Sequence, residues 1–207
     1  MLTYPLVGNY GVPGNHNGKS RLESNRIQIS GLIVSEASLE HNHWDADRSL
    51  TKWLYDEQIP ALSGIDTRAL TKHLRQNGSM LGKLLIGEDP IEFHDPNQHE
   101  LVSRVSVPRP MFYPGGKKRV LLIDCGCKNS ILGSLITRDV RVTRVPWNYD
   151  FFDEESDGVL ISNGPGDPKM CSSTIAHVRR ALEQNCPVFG ICLGNQILAS
   201  GSRSQYL

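Results

Sequence analysis

The second half of this chain alternates apolar runs with amphipathic segments, and this alternation constrains the fold more than any other feature. Four segments predict strands: the apolar run 119–124, which we expect to be buried, the alternating valines of 140–147, and residues 157–162 and 187–191. Three segments carry apolar residues at helical spacing, at residues 129–139, 173–185 and 193–199. Because strands alternate with helices, the sequence predicts an α/β fold with a parallel sheet and helices on both faces. In such a sheet, functional loops follow the carboxyl ends of the strands.

A segment rich in proline and glycine, 107–118, separates the two halves of the chain. Its three prolines and two glycines disfavour a helix or a central strand, so we expect a linker there. The linker divides the chain into domains 1–106 and 119–207. The first is expected to be a small α+β unit with helices over 47–58 and 66–78. Asp66 is predicted to cap the second helix, and Gly78 to end it in the left-handed conformation.

Charge and cysteine content limit the classes of partner and the compartment. Lysine and arginine number 22, as do aspartate and glutamate, so no net charge favours a nucleic acid or an anionic membrane as partner. No apolar run approaches the length of a membrane span, and the amino terminus lacks the pattern of a secretory signal. The five cysteines match no disulfide framework or zinc site, so we expect reduced thiols and a cytoplasmic protein.

The stretch GICLGNQ, residues 190–196, places Cys192 between a predicted strand and a predicted helix. Gly190 and Gly194 allow a tight turn there, and the amino terminus of the helix favours a thiolate. The N–H of Leu193 would point towards an oxyanion formed beside the thiol. A buried core cysteine is an equally good interpretation of the residues alone.

A second glycine-rich turn, SNGPGDP at residues 162–168, follows the preceding strand. Asn-Gly and Pro-Gly form ordinary turns in many proteins. The alternative is a rigid backbone surface whose N–H groups bind a substrate. Because the turn lies one strand and helix before the Cys192 elbow, the pair favours a shared site.

No histidine follows Cys192 in these 207 residues, so a general base must be sought elsewhere. His177 lies on the predicted helix 173–185, and we expect it to be solvated. His41 and His43 alternate in a polar stretch and form at most a weak metal motif, so we expect a polar loop and no metal site. His73 is expected to be a packed or surface residue of its helix.

Both glycine-rich turns together resemble those of class I glutamine amidotransferases. Three further stretches, at residues 8–11, 63–84 and 123–132, resemble the small glutaminase subunit of carbamoyl-phosphate synthetase. The resemblance extends to the amino-terminal region of animal multifunctional pyrimidine-synthesis proteins. It implies a flavodoxin-like parallel sheet with flanking helices, preceded by a small α+β domain. Amidotransferases for anthranilate or guanylate synthesis lack such a preceding domain.

The resemblance also implies a reaction and its residues. Cys192 would attack the amide carbon of glutamine and release ammonia from a thioester intermediate. Gly164 and Gly166 would bind glutamine, Leu193 would supply an oxyanion-hole N–H, and Gln196 would contact the substrate. Ammonia would pass to a synthetase, as a large subunit or fused domain, for pyrimidine synthesis. ATP and magnesium would belong to that synthetase, with no cofactor in this chain.

The family pattern and this sequence differ at both ends. The family has a β-rich segment before residue 2, and a histidine and glutamate far beyond the elbow. Residues 200–207, SGSRSQYL, depart from the apolar helix that the family has there. We therefore expect an incomplete amidotransferase domain with low activity by itself. A non-catalytic module that docks on the synthetase is the alternative, whereas the retained cysteine disfavours the ammonia-dependent type.

Overall fold

The computed structural model describes residues 1–16, 19–87 and 89–202, apart from the side chains of residues 15, 16, 19 and 20. The chain forms two compact units, Met1–His94 and Asp95–Leu207. The sequence placed the division at 107–118, about a dozen residues later. None of the helices in the described ranges is long and apolar enough to cross a membrane.

The first unit consists of short strand pairs and helices around a small core. Its strands are β1 Leu6–Val7, β2 Val12–Pro13, β3 Asn15–His16, β4 Lys19–Ser20, β5 Leu32–Ile33, β6 Glu36–Ala37, β7 Ala46–Arg48 and β8 Ala61–Leu62. Its helices are α1 Leu50–Asp56 and α2 Thr67–Asn77. Strand β1 pairs with β6, β2 with β7, β3 with β4, and β5 with β8. Leu32, Val34 and Leu54 form the buried core.

Helix α2 begins as the sequence predicts and ends differently. The Asp66 side chain accepts a hydrogen bond from the N–H of Ala69 at 2.9 Å and so caps the helix. Gly78 has the predicted positive φ, +81°, but its ψ of −168° lies outside the left-handed helical region. The chain therefore leaves α2 in an extended direction.

The second unit is an α/β sheet with helices on both faces, which confirms the predicted fold class. Its strands are β9 Met111–Tyr113, β10 Arg119–Asp124, β11 Arg141–Pro146, β12 Gly158–Ile161 and β13 Val188–Gly190. Its helices are α3 Asn129–Ile136, α4 Ser172–Glu183 and α5 Leu193–Ser202. The strand order is β13-β12-β10-β11-β9, and only β9 runs antiparallel within this described sheet.

Three boundaries in the second unit correct the sequence prediction. Strand β9 lies inside the expected linker 107–118, where it forms the outer edge of the sheet beside β11. Helix α3 ends at Ile136, before the left-handed Asp139, although the pattern extended to 139. Helix α5 continues through Ser202, so the first polar residues after Ala199 are helical. Residues 203–207 of the SGSRSQYL stretch lie outside the described residues.

Alternate residues of β10 pack against opposite faces of the sheet, as the pleat of a strand requires. Leu121 and Ile123 join a large buried cluster that includes Val178 of α4 and Ile197 of α5. Leu122 joins a second buried cluster that contains Leu132 of α3. Burial of each large side chain stabilises the unit by roughly 1.5–3 kcal/mol. Strands β10, β12 and β13 pair in parallel, so their carboxyl ends meet at one edge of the sheet.

Candidate active site

Cys192 occupies a sharp turn between β13 and α5. Its φ of +54° lies in the left-handed region, which is uncommon for a residue with a side chain. The N–H of Ile191 donates to the carbonyl of Ile161 at 3.0 Å, which attaches the turn to β12. The Cys192 carbonyl accepts from the N–H groups of Asn195 at 3.0 Å and Gln196 at 3.2 Å. The thiol is therefore exposed at the amino terminus of α5, as expected of a nucleophile elbow.

Gly190 and Gly194 make this turn sterically feasible. A Cβ at Gly190 would lie 2.4 Å from the carbonyl carbon of Gly194. A Cβ at Gly194 would lie 2.3 Å from the carbonyl oxygen of Ile161. Both distances are far below a van der Waals contact, so helix α5 packs on the strands as closely as the sequence predicts.

The glycines of the second turn have different structural roles. A Cβ at Gly164 would lie 2.1 Å from the carbonyl oxygen of Cys125 and 2.7 Å from Cδ2 of Leu193. Gly164 therefore lets the loop after β12 pack closely against the loop after β10 and the start of α5. Gly166 has a φ of +84° and is exposed, and a Cβ added to it would lie 3.6 Å from Cβ of Leu101, an ordinary van der Waals contact. The predicted contacts of both glycines with glutamine stay predictions.

Leu193 and Gln196 occupy the first two turns of α5. Leu193 is the first helical residue, and its side chain is buried. The N–H of a first residue points out of the helix end, where it is available to an anion. Gln196 is exposed one turn after Cys192. Their expected roles, an oxyanion-hole donor and a substrate contact, stay predictions.

Asp124, which the sequence analysis did not single out, organises the loop after β10. Its side chain is fully buried, and Oδ1 accepts from the N–H groups of Gly126 at 2.9 Å and Cys127 at 2.7 Å. Oδ2 accepts from the N–H of Val107 at 2.8 Å and from Nη2 of Arg144 at 2.9 Å. A buried carboxylate needs such partners because burial removes its hydration. Asp124 therefore fixes the course of residues 125–127.

Ser162 and Asn163 join the loop after β12 to the loop after β10. Ser162 Oγ accepts from the N–H of Cys125 at 2.9 Å and is fully buried. Asn163 Oδ1 accepts from the N–H of Lys128 at 3.1 Å, and its Nδ2 donates to the carbonyl of Gly126 at 3.1 Å. We call the two Asn163 bonds the loop clamp. Through it, the turn at 162–168 is held against residues 126–128.

The five cysteines differ in exposure, and only Cys192 is exposed. Burial raises the pKa of the Cys127 and Cys171 thiols to about 11. Burial also raises the pKa of the Cys125 and Cys186 thiols above its ordinary value. Thiolate chemistry is therefore disfavoured at the four other positions. All five thiols are free.

Three histidines singled out by the sequence, His43, His73 and His177, have local contacts that explain them without catalysis. His177 corrects the expectation of a solvated residue, since it is half-buried with its ring edge-on to Phe151 at 6.0 Å. Its Nδ1 is buried without a hydrogen-bond partner in the described part of the chain. His43 Nδ1 accepts from the N–H of Asp45, and His73 is exposed beside Asn77. Within those ranges, no three His, Cys, Asp or Glu residues form a metal-binding group.

Comparison with known families assigns a domain to each half of the chain. Residues 1–84 match the family model described as the carbamoyl-phosphate synthase small chain, CPSase domain. Residues 121–203 match glutamine amidotransferase class-I, and this match contains the Cys192 elbow. The chain belongs to the carbamoyl-phosphate synthase small-chain family. The small-chain match thus lies within the first unit, and the amidotransferase match within the second.

Curated relatives of this small-chain family member occur in separate and multifunctional proteins. Multifunctional protein CAD of Squalus acanthias is 45% identical over 96% of this chain and 9% of that protein. The carbamoyl phosphate synthase arginine-specific small chain of Neurospora crassa is 45% identical over 96% of this chain and 47% of that protein. The human mitochondrial carbamoyl-phosphate synthase [ammonia] is 43% identical over 98% of this chain and 14% of that protein. This chain therefore spans less than half the length of these relatives.

Proposed function

We propose that the second unit hydrolyses glutamine and supplies its ammonia for carbamoyl phosphate synthesis. The observation that carries the proposal is the elbow: Cys192 is exposed, and its backbone has the left-handed conformation directly before α5. Its position just before the helix places the thiol beside the N–H groups of the first turn of α5. The class I amidotransferase match over residues 121–203 supports glutamine as the substrate.

In the proposed reaction, the Cys192 thiolate forms a bond to the amide carbon of glutamine. The carbonyl π electrons move to oxygen, and the N–H of Leu193 stabilises the resulting oxyanion. Nitrogen takes a proton as the C–N bond breaks, so ammonia leaves and a glutamyl thioester remains. Water then cleaves the thioester to glutamate and restores the thiol. Gly164, Gly166 and Gln196 would hold glutamine beside the sulfur.

The ammonia would be used by a synthetase, either a separate large subunit or a domain of the same protein. Names such as small chain and multifunctional protein among the relatives support both arrangements. The sequence resemblance to pyrimidine-synthesis proteins supports the pyrimidine pathway. An arginine-specific relative is equally similar, so complementation of growth in strains that require uracil or arginine tests the assignment. Relief of the uracil requirement supports the pyrimidine pathway, and relief of the arginine requirement alone contradicts it. Five free thiols support a cytoplasmic location.

A polypeptide of these 207 residues alone should turn over glutamine slowly. No histidine follows Cys192 in it, and His177 is packed edge-on against Phe151. General acid–base catalysis contributes about 10²–10⁴-fold in rate, and this reaction needs a proton for departing ammonia. Loss of a base that acts together with a nucleophile can cost more than that range.

Ammonia release from glutamine tests the proposal directly. The polypeptide is compared with a chimera in which residues 1–199 replace the matching region of the Neurospora crassa arginine-specific small chain, so that the segments on both sides of that region are present. We expect turnover in the chimera, near-background release by the polypeptide, and loss of chimera activity in Cys192→Ser. A folded chimera without Cys192-dependent turnover would contradict the glutaminase proposal and favour a docking module.

A further inference from the structure

We propose that Asn163 is a positioning residue for glutamine: its side chain sets the distance between the glycine turn and the oxyanion donor. This inference rests on the glutaminase function proposed above. Asn163 does not need to touch the substrate or the reacting atoms. It acts through the backbone of its neighbour, Gly164.

The loop clamp uses both polar atoms of the Asn163 amide on a single backbone segment. Oδ1 accepts from Lys128 N–H, and Nδ2 donates to the Gly126 carbonyl, each at 3.1 Å. An amide is the side-chain group that provides an acceptor and a donor at this separation. The two bonds fix the orientation of the side chain, because exchange of its oxygen and nitrogen would break both.

The segment on the other side of the loop clamp is itself held rigidly. Asp124 Oδ1 accepts from the N–H groups of Gly126 and Cys127, and Arg144 pairs with Oδ2. Ser162 adds a bond to the N–H of Cys125. Asn163 is therefore fastened to a segment whose backbone is anchored in the interior of the unit.

The position of Asn163 is transmitted to the elbow by close packing. Gly164 follows Asn163 directly, and a Cβ built on it would meet both the Cys125 carbonyl oxygen and the Leu193 side chain. The space for a Cβ there is already filled, at 2.1 Å and 2.7 Å from those two neighbours. A shift of residue 163 must therefore change the spacing between the Gly164 backbone and the first residue of α5.

This arrangement separates two properties of the site. Thiol reactivity depends on the exposure of Cys192 and on the α5 amino terminus, which the loop clamp does not contact. Glutamine binding depends on the spacing of the glycine turn and the elbow. Loss of the loop clamp should therefore weaken binding of a glutamine-shaped reagent and leave the intrinsic reactivity of Cys192 unchanged.

The test uses two alkylating reagents on the 207-residue chain. A chloromethyl ketone analogue of glutamine reports binding, since the Cys192 thiolate forms an S–C bond and chloride leaves after the reagent docks. Iodoacetamide reports thiol reactivity, as the same thiolate displaces iodide without a binding pocket. Mass spectrometry follows Cys192, and protection of buried Cys125 and Cys171 verifies folding in the same samples.

Two substitutions and one control separate the contributions of the loop clamp. Asn163→Ala removes both hydrogen bonds. Asn163→Asp keeps the acceptor for Lys128 N–H but sets a carboxylate oxygen against the Gly126 carbonyl. Asn185→Asp is the control, because Asn185 lies just after α4, outside the clamp, and has a left-handed φ that Asp tolerates.

We expect the half-saturating ketone concentration to rise roughly tenfold in Asn163→Ala, as loss of ordinary hydrogen bonds implies. Asn163→Asp should weaken binding at least as much, while the control and all iodoacetamide rates stay within about twofold. The inference would be overturned if both Asn163 variants had the half-saturating ketone concentration of the wild type. It would also be overturned if the iodoacetamide rate changed in parallel with ketone binding. If wild-type labelling by the ketone does not saturate, the proposed glutamine site itself fails.

Discussion

Replacement of Gly164 by alanine should destabilise the second unit, although alanine is normally the more favourable residue. The added Cβ would lie 2.1 Å from the Cys125 carbonyl oxygen and 2.7 Å from Leu193 Cδ2. The first neighbour is backbone in the loop that Asp124 anchors, so it cannot rotate away. The second is the buried side chain of the first residue of α5.

Opposite steric surroundings make Gly133 a matched control in the same unit. A Cβ at Gly133 in α3 would meet no atom of the described residues within 4 Å, apart from its chain neighbours and the backbone of its own helix. Overpacking in a dense interior typically costs about 1–3 kcal/mol, so we expect Gly164→Ala to lower the unfolding free energy by that amount. Removal of a glycine from a helix stabilises it by about 1 kcal/mol, which applies to Gly133→Ala. The same chemical change should therefore shift stability in opposite directions at the two sites.

Urea unfolding followed by Trp147 fluorescence measures this difference for the second unit. Trp147 packs against the large core cluster of this unit, and the other tryptophans, Trp44 and Trp53, belong to the first. Phenylalanine at those two positions leaves a single reporter. We expect Gly164→Ala to lower the unfolding midpoint and Gly133→Ala to raise it, with slopes unchanged.

The reasoning fails if Gly164→Ala unfolds within about 0.5 kcal/mol of the parent, the range of an ordinary surface substitution. Such a result would mean that the loop after β12 moves easily away from Cys125 and from the start of α5. It would also remove the steric basis for coupling the glycine turn to the elbow. Destabilisation by Gly133→Ala as well would show a general intolerance of alanine and leave no evidence for close packing.

Two further predictions concern the thiols. Cys192 should react fastest with iodoacetamide near neutral pH, because it alone among the five cysteines is exposed; faster alkylation of Cys171, by mass spectrometry, would contradict the elbow assignment. The pKa of Cys171 is raised to about 11, whereas an unfolded thiol titrates near 9, so the folded state holds this proton more tightly. The stability that this tighter binding contributes should therefore be fully present below about pH 9 and be lost as the pH rises towards 11. In urea titrations at a series of pH values, Cys171→Ala should make the unfolding free energy fall less steeply with pH. An unchanged dependence on pH would argue against the raised pKa.

Local patterns in the sequence explain why most of the second unit could be predicted. Each strand from β10 to β13 has its own apolar run, and each helix its own spacing. Strand β9 was missed because prolines and glycines surround it, and it becomes a strand only by pairing with β11. The two-residue strands of the first unit are too short for any period, so their positions depend on tertiary pairing.

The elbow could be predicted because the glycines that shape it lie within two residues of Cys192. Asn163 and Asp124 could not, since their partners include residues 35 and 20 positions away in sequence. A usable signal was nonetheless present. Asp124 and Arg144 each place a charge in an apolar run predicted as a strand, and buried charges require a partner. The half-buried His177 had no such signal, because its neighbours Phe151 and Phe152 lie in an irregular segment.

The left-handed backbone of Cys192 has a consequence for how this residue evolves. A side chain in that conformation costs on the order of 1 kcal/mol, which glycine would avoid. Mutation to glycine would therefore relieve strain and abolish the thiol in a single step. A lineage released from selection for the reaction could relieve this strain by replacing the cysteine with glycine. At this position, natural selection for chemistry and for folding act in opposite directions.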